Sequence, residues 1–241
     1  MLNTLCLLWQ DTKTRMWFHV GNLTQNQNGS YTFSYELENK KRNLEKAIEY
    51  GYTLHPTFPN KNEVYTSEFL FSAFRRRLPD RKRKDFSEVL HNLGSSISTD
   101  FEVLEFTGGS LNSDSYEFVR PVQFDNDKFE LEFYLRGWRY YGKDDSVEST
   151  DRLKLEIEED CEFDTDAVCV LKNSDKKIGY VPAFYSDFIK TILTDSCPNL
   201  DEVEFEFNAL APSHYKLKLK VNGVVSEDTL RKFDKSLLLC C

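Results

Sequence analysis

Apolar residues recur at every second position in several short stretches of this chain, and that period decides what it can build. Phe129, Leu131, Phe133 and Leu135 share one face of an extended segment; Leu153, Leu155 and Ile157 repeat the pattern, as do Tyr31, Phe33 and Tyr35. A period of two places such side chains on one side of a pleated strand, and no helix reproduces it. Met1 to Trp9 and Met16 to Gly21 read as two further strands, and the Asn/Gly-rich Thr24 to Ser30 reads as a hairpin loop. Later, Ala167 to Leu171 is an unbroken apolar run suited to a buried strand, Asn173 to Lys176 a turn, and Lys177 to Val181 the returning strand. Val203 to Leu210 and Tyr215 to Val221 alternate again.

Helices are fewer. A short turn is expected around Leu44, Ala47 and Ile48. Ser67 reads as the N-cap of a helix burying Leu70, Phe71, Phe74 and Leu78, and Asp85 opens a second with Phe86, Val89, Leu90 and Leu93. Another follows Pro182 with Phe184, Phe188, Ile189, Ile192 and Leu193, and a weak one lies in the tail. The fold class is therefore mainly β with α, an α+β chain. Pro121 breaks the run near mid-chain, so two small domains are expected, at residues 1–122 and 123–225, with a C-terminal tail at 226–241.

With 241 residues and a 40% hydrophobic fraction, the chain has material for a packed core. No apolar run nears the ~18–20 residues that cross a bilayer, and the start lacks a basic leader and cleavage site. A cytoplasmic protein without membrane partner is expected, its six cysteines reduced, and the sequons at Asn22 and Asn28 are discounted on the same ground.

Charge is unevenly placed. Residues 1–120 carry 15 basic and 15 acidic side chains, whereas residues 121–225 carry 13 and 22, which accounts for the net −9. A broad basic field is excluded from the later half, so any nucleic-acid contact there must be small and local. The one positive concentration is Arg75, Arg76, Arg77, Arg81, Lys82, Arg83 and Lys84. Three readings fit it: a solvated helix end, a phosphate-contacting patch, or an interface for an acidic partner.

Enzyme signatures are missing. There is no phosphate loop, dinucleotide fingerprint, His-Glu-x-x-His, Cys-x-x-Cys or Gly-x-Ser-x-Gly, and the four histidines (19, 55, 91, 214) lack ligand spacing. No catalytic residue, metal ligand or cofactor is expected; the alternative is a metal-dependent nuclease with dispersed carboxylates.

Three blocks occur in order: Leu135-Arg136-Gly137-Trp138-Arg139-Tyr140-Tyr141-Gly142, then Phe163-Asp164-Thr165-Asp166-Ala167-Val168, then Lys177-Ile178-Gly179-Tyr180-Val181-Pro182. Together they resemble the HIRAN domain over about residues 123–222. The resemblance implies an OB-like small β-barrel with one or two helices. In fork-remodelling helicases this family holds the 3′-hydroxyl end of single-stranded DNA. The implied site residues are Arg139, Tyr140, Phe163, Asp164 and Tyr180. Tyr140 and Phe163 would flank a terminal base, Asp164 would accept a bond from the 3′-hydroxyl, and Arg139 would offset backbone charge. Asp166 stands where the family often has Asn, Tyr180 where the helicase version has His, and Ala183 where it has a basic residue. From the residues alone, Asp164 reads equally as a turn cap, and one of the alternating pairs Trp138/Tyr140 and Arg139/Tyr141 as core.

Earlier motifs, among them Val20-Gly21-Asn22-Leu23, Leu70-Phe71-x-x-Phe74, Arg77-Leu-Pro and Asp114-Ser-Tyr-Glu-Phe118, resemble the N-terminal domain of HipA-type kinases over about residues 5–120. No kinase catalytic loop accompanies them. That resemblance implies a protein-contacting domain with a kinase or effector subunit as partner, in a toxin–antitoxin or anti-phage setting. The combined expectation is a non-enzymatic protein that binds a single-stranded DNA 3′ end and a protein; the alternative is a purely protein-interacting antitoxin-like or scaffold subunit.

Overall fold

A computed structural model describes residues 3–38, 42–80, 99–111, 113–143, 145–161, 164–194, 199–227 and 229. The chain divides into two compact units between Pro121 and Val122. It is mainly β with few helices.

The first unit is built on an antiparallel sheet of β1 (Asn3–Gln10), β2 (Trp17–Gln25), β3 (Tyr31–Tyr35), β4 (Tyr65–Ser67) and β5 (Tyr116–Val119), ordered β4-β3-β2-β1-β5. Alternation in β3 buries Tyr31, Phe33 and Tyr35 on one face. Phe33 stacks 4.4 Å from Phe58 and meets Phe74 edge-on at 5.2 Å. Gly21 is required beneath this cluster, because a Cβ there would lie 2.7 Å from the Phe33 ring. Among the described residues three short helices cover the sheet: α1 (Leu44–Glu49), α2 (Ser72–Arg75) and α3 (Asp100–Thr107). The α1 turn is where Leu44 and Ala47 predict it, capped by Asn43.

Two helical expectations are corrected. Ser67 ends β4, and its hydroxyl accepts the Phe69 N–H at 3.2 Å instead of capping a helix. The helix itself is only Ser72–Arg75. Helix α3 escapes the apolar-pattern reading because it is two turns long; what defines it is a capping box between Thr99 and Glu102 and the left-handed Gly108 that ends it. The expected helix at 85–93 and most of the tail lie outside the described residues.

The second unit holds two sheets. In one, β6 (Gln123–Asp125), β7 (Lys128–Tyr134) and β13 (Leu217–Val224) are neighbours in that order, and both β11 (Asn199–Leu200) and β12 (Glu204–Phe207) pair with β13. The other is β8 (Leu153–Ile157), β9 (Val168–Lys172) and β10 (Lys176–Tyr180). Helix α5 (Ala183–Thr194) buries Phe184, Tyr185, Phe188, Ile189 and Ile192, as its 3.6-residue spacing predicts. Phe188 meets Phe129 at 5.1 Å and Phe124 at 5.9 Å, seating the helix on β6 and β7. The OB-like barrel that the resemblance implies is not closed: both sheets are open. Among the described residues they are joined at a single bridge between Arg136 and Tyr180.

Candidate nucleic-acid interface

That bridge is where the three sequence blocks meet. Arg136 leaves β7 and exchanges backbone hydrogen bonds with Tyr180, its N–H donating at 2.9 Å and its carbonyl accepting at 2.8 Å. So close an approach demands glycine at 179, where a Cβ would fall 2.4 Å from the Arg136 carbonyl oxygen. Gly137 then takes φ +80°, and the chain turns into the one-turn helix α4 (Trp138–Tyr141).

Within α4 the side chains part company. Trp138 is buried and packs 5.4 Å from Phe207. Gly142 lies flat against its indole, with 2.8 Å to any Cβ. With the tryptophan anchored inside, Arg139 and Tyr140 face solvent. Tyr140 is 79% exposed and its ring has no aromatic neighbour among the described residues. Strand-like alternation through 138–141 therefore gives way to a helical turn, in which only Trp138 is core.

Behind this turn stands a compact cluster. The Tyr141 ring meets Tyr180 edge-on at 5.4 Å. Lys177 Nζ lies 4.8 Å from the centroid of Tyr141 and 5.0 Å from that of Tyr180. It donates to Tyr180 Oη at 2.9 Å and forms an ion pair with Glu158 at 2.8 Å. The hydrogen bond from Lys177 holds the Glu158 carboxyl below its ordinary range, and the Glu158 carboxylate raises the Lys177 ammonium above its own. Burial raises the Tyr180 phenol.

Sequence reasoning missed Lys177, Glu158 and Tyr141. A regular strand sends Lys177 and Tyr180, three residues apart, to opposite faces. The register of β10 against β9 slips between Lys177 and Gly179, and that irregularity brings the two side chains together. Period-two reading carries no signal for it.

The expected site residues fall in different places. Arg139, Tyr140 and Tyr180 come to the same end of β10. The Asp164 carboxylate accepts the Asp166 N–H at 3.0 Å, and its carbonyl accepts the Ala167 N–H at 3.1 Å, so it closes a turn leading into β9. Asp166 holds Lys190 at 2.8 Å. Phe163 lies outside the described residues. In the basic run, Arg77 grips Asp114 with both terminal nitrogens, at 2.8 and 2.6 Å, and donates Nε–H to the Gly109 carbonyl at 2.8 Å. Arg77 therefore ties the first unit together. Arg75 is exposed and 3.6 Å from Asp100, and Arg76 is exposed; Arg81, Lys82, Arg83 and Lys84 lie outside the described residues. Among the described residues no group of three or more His, Cys, Asp and Glu is placed to hold a metal, and no helix is long and apolar enough to cross a membrane.

Residues 128–225 match the HIRAN domain family, so the second unit carries a HIRAN domain. Nothing in the comparisons supports the expected likeness of residues 5–120 to the HipA N-terminal domain. No curated protein and no solved structure matches the chain.

Proposed function

We propose that the HIRAN domain binds the 3′-hydroxyl end of single-stranded DNA through α4 and the adjoining end of β10, without catalysis. The observation that carries this reading is Tyr140: a 79% exposed ring beside an exposed arginine, on a turn fixed from within by Trp138. An unpartnered ring on a rigid support is a stacking platform for an unpaired base, worth ~1–3 kcal/mol. Arg139 supplies a guanidinium for the adjoining phosphate. The test is fluorescence anisotropy of a short labelled strand ending in a 3′-hydroxyl or a 3′-phosphate. A preference for the hydroxyl end supports end recognition; equal weak binding to both removes it.

A second reading concerns the first unit. Val64 (63% exposed) and Phe69 (73% exposed) flank β4, the edge strand of its sheet. An edge strand framed by exposed apolar side chains is suited to contact with another protein. This supports a protein-binding role for the first unit; a cytoplasmic antitoxin-like, defence or scaffold assembly with a kinase or effector subunit is the setting we propose for it. A photo-crosslinker at position 69 should then trap a protein in cells, with one at exposed Lys13 as the control. Labelling at 69 no stronger than at 13 would remove the reading.

A further inference from the structure

The HIRAN domain is acidic, and its cations are mostly tied to carboxylates. Lys172 pairs with Asp145 and Asp151, Lys177 with Glu158, and Lys190 with Asp166. On the β7–β13 pair, Lys218 holds Glu132 at 2.7 Å and Lys220 holds Glu130 at 2.8 Å. Two cations beside Tyr140 differ. Arg139 and Lys143 are exposed, and neither has an ion pair or hydrogen bond among the described residues. In sequence they bracket the most exposed aromatic ring of the domain among the described residues; Arg139 and Tyr140 lie in the turn between Gly137 and Gly142, and Lys143 follows it directly.

We propose that phosphate contact in this domain is confined to Arg139 and Lys143, so that its ligand is a short single-stranded end held by one stacked base and one or two phosphates, while Lys177 positions the tyrosines without touching phosphate. This rests on the nucleic-acid reading above. It follows from where charge is free next to the exposed ring; Lys128, also exposed and without an ion pair among the described residues, starts β7 at the strand end away from α4. An ammonium already paired with Glu158 and lodged over two rings gains little from a phosphate, because the new contact would break the old one. Free surface cations lose only water. Lys177 acts through the rings it orders and is a positioning residue.

Salt dependence separates the roles. Each phosphate neutralised on a single strand contributes about −0.7 to the slope of log affinity against log salt. With the full-length chain and a labelled strand bearing a 3′-hydroxyl, raising salt fourfold should weaken binding about sevenfold for two phosphates. Arg139→Gln and Lys143→Gln should each reduce that salt effect to about threefold. Lys177→Gln should bind roughly threefold more weakly at every salt concentration, with the sevenfold salt effect intact. Two results overturn the proposal: a wild-type salt effect of about twentyfold or more, the mark of three or more phosphates, or a Lys177→Gln variant with a flattened salt dependence. Should Lys177→Gln not fold, Lys143→Gln on its exposed side chain decides the footprint alone. No binding at the lowest salt is a different result: it removes the nucleic-acid reading itself.

Discussion

Glycine 179 shows how one residue can make a site possible. The strand end at Tyr180 approaches Arg136 so closely that a methyl group would lie 2.4 Å from a backbone oxygen, which a flexible side chain cannot relieve. Gly179→Ala should destabilise the HIRAN domain by about 1–3 kcal/mol, read from urea denaturation, since overpacking against backbone forces the strands apart. The neighbouring turn separates stability from function in adjacent residues. Trp138→Ala empties a buried site and should cost about 3–5 kcal/mol. Tyr140→Ala removes a solvated ring and should change stability by no more than about 0.5 kcal/mol. Glu158 gives a pH signature. Its carboxyl titrates lower in the folded chain than unfolded, so it adds stability above the unfolded value of about 4.3, lost as pH falls through the folded value. Wild type should therefore lose more stability than Glu158→Gln between pH 5 and 3, and parallel denaturation midpoints for the two would refute the pairing.

At the scale of elements, what could be read from the sequence depended on which force fixes each piece. Strands β3, β7 and β8 are set by alternating burial, which leaves a period in the residues, and α5 by an apolar stripe at helical spacing. Helix α3 is set by its ends instead. Thr99→Ala removes half of the capping box and should cost about 1 kcal/mol of stability in the first unit. The site divides along the same line. Arg139, Tyr140 and Tyr180 were named from the family blocks that carry them, and the fold places them in α4 and at the end of β10. Lys177 and Glu158 were not, because a register slip in β10 puts Lys177 beside Tyr180 and only the fold brings Glu158 to it. Asp164 was legible as a residue with two roles, and the Asp166 N–H donating to its Oδ1 belongs to the turn-forming one of the two. The open sheets were the opposite case: the family blocks implied an OB-like barrel, whereas among the described residues the two open sheets share only the Arg136–Tyr180 bridge.

For the whole molecule, charge sets the terms of recognition. A chain of net charge −9 repels the long phosphate backbone of a duplex, and the HIRAN domain neutralises most of its own cations internally. Beside the exposed ring Arg139 and Lys143 form a small cationic patch, which on the proposed reading suits an unpaired end better than a continuous helix. The most direct test compares wild type with Tyr140→Ala in anisotropy titrations against a short strand with a free 3′-hydroxyl and against a blunt duplex of the same length. The account predicts that wild type prefers the single strand, and that Tyr140→Ala loses about 5- to 100-fold of that affinity, the equivalent of one stacked base, with its denaturation midpoint unchanged. Equal affinity of both proteins for the single strand would contradict it.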